Sequence, residues 1–381
     1  MKITIVLGAF FPVPPVMGGA VEKAWFALGQ EFARCGHEVT MISRAIPAFQ
    51  REEDVDGIKH IRVRGFDAPR SLVWLKILDL IYSIRATSIL PQSDIIVTNT
   101  FWLPILLRRS EEGKIYVHVA RYPKGQMRFY GKAARLQTPS NSVARAIENE
   151  APQLKNRIEV IPYPCPRSRE APIPTLQRDK AILFVGRIHP EKGVHLLVKA
   201  FADLPRDISN EWTLSIVGPA EEGLGGGGKN YTDQLRQLAT QVKNRIFFRG
   251  PVFESAALEQ YFLSARLFVY PSLAERGESF GLAPLEAMAH RCGVMVSDLE
   301  CFADFVREGD TGFVFDHRSE DPALSLREKL MRVIVDQALL ARVAESGYQK
   351  SADYSLTRVA DQFLHDFSLL LNQPNAAGTS R

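Results

Sequence analysis

Two α/β domains, each a parallel sheet with helices on its faces, are what the sequence predicts, and three observations predict them. Short β-branched runs alternate with helical stretches along most of the chain, as in a parallel sheet whose crossovers are helices. The alternation breaks once, between Pro162 and Asp179, where "PYPCPRSREAPIPTLQRD" holds five prolines and few apolar anchors, and then restarts. The length, 381 residues, exceeds what one ordinary core needs at roughly 100 to 200 residues per domain.

In chain order, "KITIVLG" precedes the helical "AVEKAWFALGQEFARCG", and "EVTMIS", "IIVTNT", "KIYVHVA" and "RIEVIPY" follow as strands. Beyond the break come "AILFVG", "WTLSIVG", "IFFRG", "LFVYPS" and "VMVSD", each with its own helical stretch. A last helix, "SLTRVADQFLHDFSLLL", leads into a polar tail, "NQPNAAGTSR", expected to fray. The expected organisation is a first domain at 1–165, a linker at 166–178, a second domain at 179–352, and a C-terminal helix at 353–381 that crosses back to the first domain. The opening "MKITIVLGAFFPVPP" has one Lys and a short apolar run, but prolines and Gly18-Gly19 follow where a small-residue cleavage site belongs, so it reads as a buried strand. The longest apolar stretch, "LVWLKILDLIYSI", is interrupted by Lys76 and Asp79, short of the ~18 uncharged residues of a membrane span.

Composition narrows the classes. Apolar residues at 46% and charged residues at 24% place the chain with globular proteins and exclude the disordered and fibrous classes. The net charge of +4 is unevenly spread: residues 1–177 carry 24 Lys and Arg against 16 Asp and Glu, and residues 178–381 carry 23 against 27. A basic first half suits nucleic acid, an anionic membrane or a phosphorylated substrate. Nucleic acid is set aside because no recognisable module places aromatic platforms. Cys35, Cys165, Cys292 and Cys301 form no Cys-x-x-Cys and have no His at metal spacing, so neither a disulfide framework nor a zinc site is indicated, and a reducing cytoplasm fits.

Chemistry in open α/β sheets sits outside the carboxyl ends of the strands, and four turns there are unusual. Gly18-Gly19, with Glu22, would let backbone amides approach an anion or simply make a tight turn. "GRIHPEKG", Gly186 to Gly193, puts Arg187 and Lys192 on one turn, a guanidinium fork and a point charge suited to a diphosphate, against the plainer reading of solvated surface charge. Gly223, Gly228 and Lys229 fit Gly-x4-Gly-Lys, but Asn230 stands where a P-loop needs a hydroxyl for magnesium. In "ERGESFGLAPLEAMAHRCG", Pro284 suits the first helical position, which makes Ala283 a poor N-cap and leaves amides free for an anion. Glu278 and Glu286 could each accept two hydroxyls of a vicinal diol, or serve as a loop charge and a dipole-facing acid respectively.

These residues resemble a known family. "GGAVEKAWFALGQEFARCGHEV", "ILFVGRIHPEKGVHLLVKAF" and "YPSLAERGESFGLAPLEAMAHRCG" are similar to the conserved blocks of retaining family-4 glycosyltransferases, the glycosyl transferases group 1, over Lys2 to about Phe367. The resemblance implies a GT-B fold, two Rossmann-like domains facing across a cleft, with the acceptor on the first and a nucleoside-diphosphate sugar on the second. It implies that Glu278 binds donor-sugar hydroxyls and Glu286 the nucleotide ribose. Arg187 and Lys192, beside Gly186, would hold the diphosphate, with the Phe280-Gly281-Leu282 backbone donating nearby. The Gly18-Gly19 loop would close on the phosphates, and His118 would contact the transferring sugar. The implied reaction is transfer with retention by front-side attack, with no metal and no further cofactor, the β-phosphate serving as base. Tyr163-Pro164 stands where Asn-Gly is usual, Met295 where Pro is common and Glu300-Cys301 where Gly-Gly is common, so the base-facing wall departs from the family pattern.

For the acceptor, "RYPKGQMRFYGKAAR" spaces Arg121, Lys124, Arg128, Lys132 and Arg135 as one helical face would, although Pro123, Gly125 and Gly131 argue against a continuous helix. The expectation is peripheral attachment to the inner membrane face and a lipid-linked saccharide acceptor, with a solvated basic loop or an anionic soluble acceptor as the other readings. Two other function classes remain at this stage: a P-loop-like NTPase or switch, and a non-catalytic sugar-nucleotide binder.

Overall fold

The structure, a computed structural model, describes residues 1–69, 71–107, 113–165, 172–242 and 245–372. The chain divides into two units, Met1–Pro164 together with the chain from Leu356 onward, and Cys165–Ser355. Positions 166–171 of the expected linker and 373–381 of the expected tail lie outside the described residues; within the rest of the linker, Thr175–Gln177 form a single 3-10 turn.

Among the described residues, the first unit is built on eight strands: β1 (Lys2–Val6), β2 (Glu38–Ala45), β3 (Glu52–Val55), β4 (Ile58–Arg64), β5 (Ile95–Thr98), β6 (Lys114–His118), β7 (Arg135–Thr138) and β8 (Ile158–Val160). Their order is β3-β4-β2-β1-β5-β6-β7-β8, and every pairing is parallel except β3 with β4. The second unit has six parallel strands, β9 (Asp179–Val185), β10 (Thr213–Val217), β11 (Ile246–Gly250), β12 (Ala265–Tyr270), β13 (Gly293–Ser297) and β14 (Phe313–Phe315), ordered β11-β10-β9-β12-β13-β14. Parallel strands are covered on both faces, which explains why β5, β12 and β13 are mostly apolar and are buried at every position.

Sheet order positions the chemistry. In the first unit the chain winds outward from β1 to β2, then returns past β1 to β5. In the second it winds from β9 to β10 and β11, then returns past β9 to β12. Each reversal opens a crevice at the carboxyl ends of the two central strands, where open α/β sheets bind ligands.

Four strands escaped the sequence pattern, β3, β4, β7 and β14. The β3–β4 hairpin turns on Asp56-Gly57, both at positive φ (54° and 77°), the requirement of a two-residue type I′ turn, and the acidic "EEDV" masks it as a loop. Strand β7, Arg-Leu-Gln-Thr, reads as polar yet is buried throughout, with Arg135 and Gln137 both paired. Arg135 forms a buried ion pair with Asp366 of the helix Leu356–Asn372, which also accepts the Tyr116 hydroxyl at 2.9 Å. That helix packs Phe363 against Trp25 and Phe367 against Phe32 and Tyr116, tying it to the first unit's core.

Removing one member of a buried pair leaves the other charge without compensation. Asp366→Ala should cost about 3–5 kcal/mol of stability, read as a lower urea midpoint. An unchanged midpoint would show that the last helix is held by its aromatic contacts alone.

Candidate functional site

In the second unit, β9 and β12 are neighbours, so the loops leaving their carboxyl ends run side by side. The Leu273 amide donates to the Glu191 carbonyl at 2.7 Å and stitches them together. Lys192 and Glu278, 86 positions apart, are thereby brought to 2.6 Å in a nearly closed environment, 7% and 12% exposed. Glu278 Oε2 also accepts the Tyr270 hydroxyl at 3.2 Å and the Ser272 hydroxyl at 3.3 Å. All three donors converge on this one oxygen; Oε1 accepts none among the described residues. The Lys192 ammonium also lies 5.6 Å from the Tyr270 ring centre, and burial, then the neighbouring carboxylate, holds the Tyr270 phenol well above its ordinary pKa.

The helix after Glu278 begins two residues earlier than its proline indicated. It spans Leu282–Ala289 with Gly281 as N-cap at φ 87°, so Pro284 lies inside the first turn, Ala283 is not the cap, and Glu286 sits in the second turn. The positive φ and the packing both require glycine: a Cβ at Gly281 would lie 2.4 Å from Phe302 Cε1. The Leu282 and Ala283 amides have no intrahelical acceptor, as at any helix start, and Pro284 has no N–H to satisfy. Phe280 is buried against Phe305 and Tyr354. Glu286 is half-buried on the same helix.

Arg187, just past Gly186 at the end of β9, is exposed. It donates to the Gly225 carbonyl at 2.8 Å and to Glu191 Oε1 at 2.6 Å. The glycine loop it touches is not a phosphate cradle: the amides of Gly226, Gly227 and Gly228 donate to the carbonyls of Glu221, Ile188 and Ala220 at 2.8–2.9 Å. A P-loop turns such amides toward its ligand, whereas these are spent inside the loop, and Lys229 points to solvent as an exposed residue. The P-loop reading therefore fails on hydrogen bonding as well as on Asn230.

In the first unit, Gly18 and Gly19 precede the helix α1 (Ala20–Arg34), with Gly19 as its N-cap at φ 93°. Glu22 folds back onto this start; a Cβ on Gly19 would lie 2.1 Å from its Oε2. Burial raises the Glu22 carboxyl above the usual range, opposed by its own backbone N–H and by Arg121. His118, at the carboxyl end of β6, is buried and bonded on both ring nitrogens. Gln137 Nε2 donates to the Ile161 carbonyl at 2.6 Å, which turns its Oε1 toward His118 Nδ1, also at 2.6 Å. Nδ1 therefore carries the proton, and Nε2 accepts the Tyr163 hydroxyl at 2.8 Å. Burial pushes the imidazole down to about 4, so it is neutral at physiological pH.

Residues 168–350, nearly the whole second unit, match the family described as glycosyl transferases group 1. That match takes in just under half of the chain. D-inositol 3-phosphate glycosyltransferase of Rhodococcus opacus (strain B4) is 30% identical over 211 residues, 54% of this chain and 45% of that one. The lipopolysaccharide core biosynthesis mannosyltransferase LpcC of Rhizobium leguminosarum bv. viciae is 32% identical over 181 residues, 46% and 47% of the two chains. The chain thus spans about half the length of the curated relatives it matches. Sucrose-phosphate synthase from Thermosynechococcus elongatus superposes with a TM-score of 0.77 at 19% identity, covering 97% of this chain and 99% of that one, and shows the GT-B fold of two parallel-sheet α/β domains.

The structure also redraws the basic segment. It forms no helical face: Met127–Phe129 make one 3-10 turn, and the amides of Gly125 and Met127 are both held by the Glu150 carboxylate at 2.7 Å. Arg121, Lys124, Arg128 and Lys132 are exposed, whereas Arg135 is buried in β7 and bound to Asp366. Sequence reasoning did not single out Gln137, Tyr270 and Ser272. Each is an ordinary polar residue in or beside a strand, and only the partner across the sheet gives it meaning. Tyr163 had a signal, its departure from Asn in the family pattern.

Because His118 titrates lower in the folded chain than the ordinary 6.5, the unfolded chain binds more protons between about pH 6.5 and 4. Stability is therefore fully present above that window and falls as pH drops through it, by on the order of 3 kcal/mol. Urea unfolding at pH 7, 5.5 and 4.5 should show a shallower acid-side loss in His118→Asn than in the unsubstituted chain; equal slopes would place the proton elsewhere.

Proposed function

We propose that the chain is a retaining glycosyltransferase that moves a sugar from a UDP- or GDP-linked donor to a hydroxyl of a lipid-linked saccharide in cell-envelope or exopolysaccharide synthesis. The observation that carries the donor half is the Lys192–Glu278 pair with its one unused carboxylate oxygen, set beside the start of the Leu282–Ala289 helix at the β9/β12 reversal. A donor sugar would bring hydroxyls to Glu278 Oε1, and a ribose diol would suit Glu286. As the glycosyl bond breaks, negative charge grows on the departing diphosphate. Lys192, Arg187 once it releases Gly225, and the Leu282 and Ala283 amides would stabilise that charge in place of a metal. The β-phosphate would take the acceptor proton, so the protein need not supply a side-chain nucleophile. A neutral His118 has both ring nitrogens engaged, so it would reach the transferring sugar only by exchanging the Tyr163 hydroxyl on its Nε2 for a sugar hydroxyl. The relatives' names, an inositol-phosphate glycosyltransferase and a lipopolysaccharide core mannosyltransferase, support acceptors of this kind.

A donor panel tests this reading. UDP- and GDP-sugars should raise the melting temperature by mass action, and one should be slowly hydrolysed. Glu278→Ala should keep its response to free nucleotide and lose discrimination among sugars. A Glu278→Ala response identical to that of the unsubstituted chain would remove the role assigned to that carboxylate.

A membrane-side location is supported by the helix α2 (Leu72–Thr87). Its buried residues are Asp79, Tyr82, Ser83 and Ala86, whereas Leu72, Trp74 and Ile84 are 71%, 58% and 54% exposed. The apolar face points outward, the reverse of a soluble surface helix. No described helix is long and apolar enough to cross a membrane, so α2 would lie in the interface plane. It joins the basic segment through Trp102, whose indole donates to the Lys76 carbonyl at 2.8 Å, and through Phe101, whose carbonyl accepts the Tyr130 hydroxyl at 3.1 Å. Exposed Lys124, Arg128 and Lys132 would each add on the order of 1 kcal/mol at an anionic leaflet. Cosedimentation with anionic vesicles should be strong at low salt and weakened by Trp74→Asp. A protein left in the supernatant under those conditions would end the membrane proposal.

A further inference from the structure

A cavity of about 490 Å³ opens in the first unit beside the carboxyl ends of β2 and β4, lined among others by Arg51, Arg62, Arg64 and Arg85. These four guanidiniums are not equivalent. Arg62 is fully buried and spent on the structure: it donates to the Val13 and Gln50 carbonyls and pairs with Glu53. Arg85, near the end of α2, gives one nitrogen to the Arg64 carbonyl at 2.8 Å and lies over the Phe66 ring, which holds its guanidinium in place. The side chains of Arg51 and Arg64 make no hydrogen bond or ion pair among the described residues, and no carboxylate lines the cavity.

Three guanidiniums without counter-charges around one cavity repel one another. A bound anion converts that repulsion into attraction, and several forks around one ligand match the three oxygens of a phosphate better than a single carboxylate. Phe49, Val63 and Ile89 supply an apolar wall, and the Ser88 hydroxyl at the rim donates to the Arg85 carbonyl at 2.8 Å. Placement adds to this. Arg85 and Ser88 continue α2 past Ile81 and Ile84, so the cavity lies where the outward apolar face of that helix ends.

We propose that this cavity is an anion subsite that takes a phosphate group of the acceptor, through Arg51, Arg64 and Arg85. The assignment of that phosphate to the acceptor rests on the glycosyltransferase reading; the binding itself does not. The phosphate would come from the head of an amphiphile whose chain runs along α2, or from a soluble sugar phosphate, and the recognition chemistry is the same.

Isothermal titration of the full chain separates these sources and separates this subsite from the donor site. The probes are dodecyl phosphate below its micellar concentration, glucose 6-phosphate, and dodecyl glucoside as the neutral control. The unsubstituted chain should bind at least one phosphate probe. The double variant Arg51→Gln/Arg64→Gln, changed at two exposed positions, should bind it at least tenfold more weakly, while Arg187→Gln/Lys192→Gln binds it unchanged. Preference for dodecyl phosphate over the hexose phosphate supports the lipid source, and the reverse order the soluble one. Equal binding by the unsubstituted chain and the Arg51/Arg64 variant, or no binding of either phosphate probe, overturns the subsite. A UDP-sugar thermal shift retained in the Arg51/Arg64 variant keeps that outcome separate from the donor reading, and loss of donor binding in the unsubstituted chain would defeat the donor reading while leaving phosphate binding here standing.

Discussion

An ammonium and a carboxylate withdrawn from water are tolerable only where further donors satisfy the acid, and the second unit is arranged around that requirement. Lys192 and Glu278 come from turns far apart in sequence and meet only because β12 returns beside β9. Tyr270 and Ser272, at the end of β12 and just beyond it, complete the solvation of one carboxylate oxygen. Desolvation would otherwise cost several kcal/mol per ion. With one oxygen fully solvated in this way, the other is left without a donor among the described residues.

The first unit uses the same principle for a different end. Two of its polar interior groups are matched across long sequence separations: Asp366 with Arg135 and Tyr116, and His118 with Gln137 and Tyr163. Each match fixes a direction that apolar packing alone would leave free. Arg135 on Asp366 sets the last helix against β7, and the Gln137 amide chooses the imidazole tautomer. Burial then keeps His118 uncharged, with both ring nitrogens spent on Gln137 and Tyr163.

The outer surface of the first unit inverts the usual pattern. On α2 the polar residues Asp79 and Ser83 face the protein, where Asp79 accepts the amides of Phe101 and Trp102 at 3.0 and 3.3 Å, and isoleucines and a tryptophan face out. Such a helix is anchored on its own unit because its inward acid closes a turn, while its outward face carries exposed apolar side chains. The arginine-lined cavity at its far end gives that face a polar terminus. Together they describe a surface suited to an amphiphile with an anionic head.

Local patterns in the chain decided much of this. Alternating β-branched and helical stretches marked both sheets, because strands buried on both faces must be continuously apolar. The glycine turns and the acids at 278 and 286 were visible because unusual residues stood at strand ends. Strand β7, the β3–β4 hairpin, the cap at Gly281 and the partners of Glu278 were not visible, since polar residues in a buried strand look like loop until their partners are known. Pro284 misplaced the helix start by its preference for the first position, which packing against Phe302 overrode. Residue type determined which groups could bind a phosphate or a diol; only the order of strands decided which of them stand within hydrogen-bonding reach of one another, because that order sets neighbours regardless of distance along the chain.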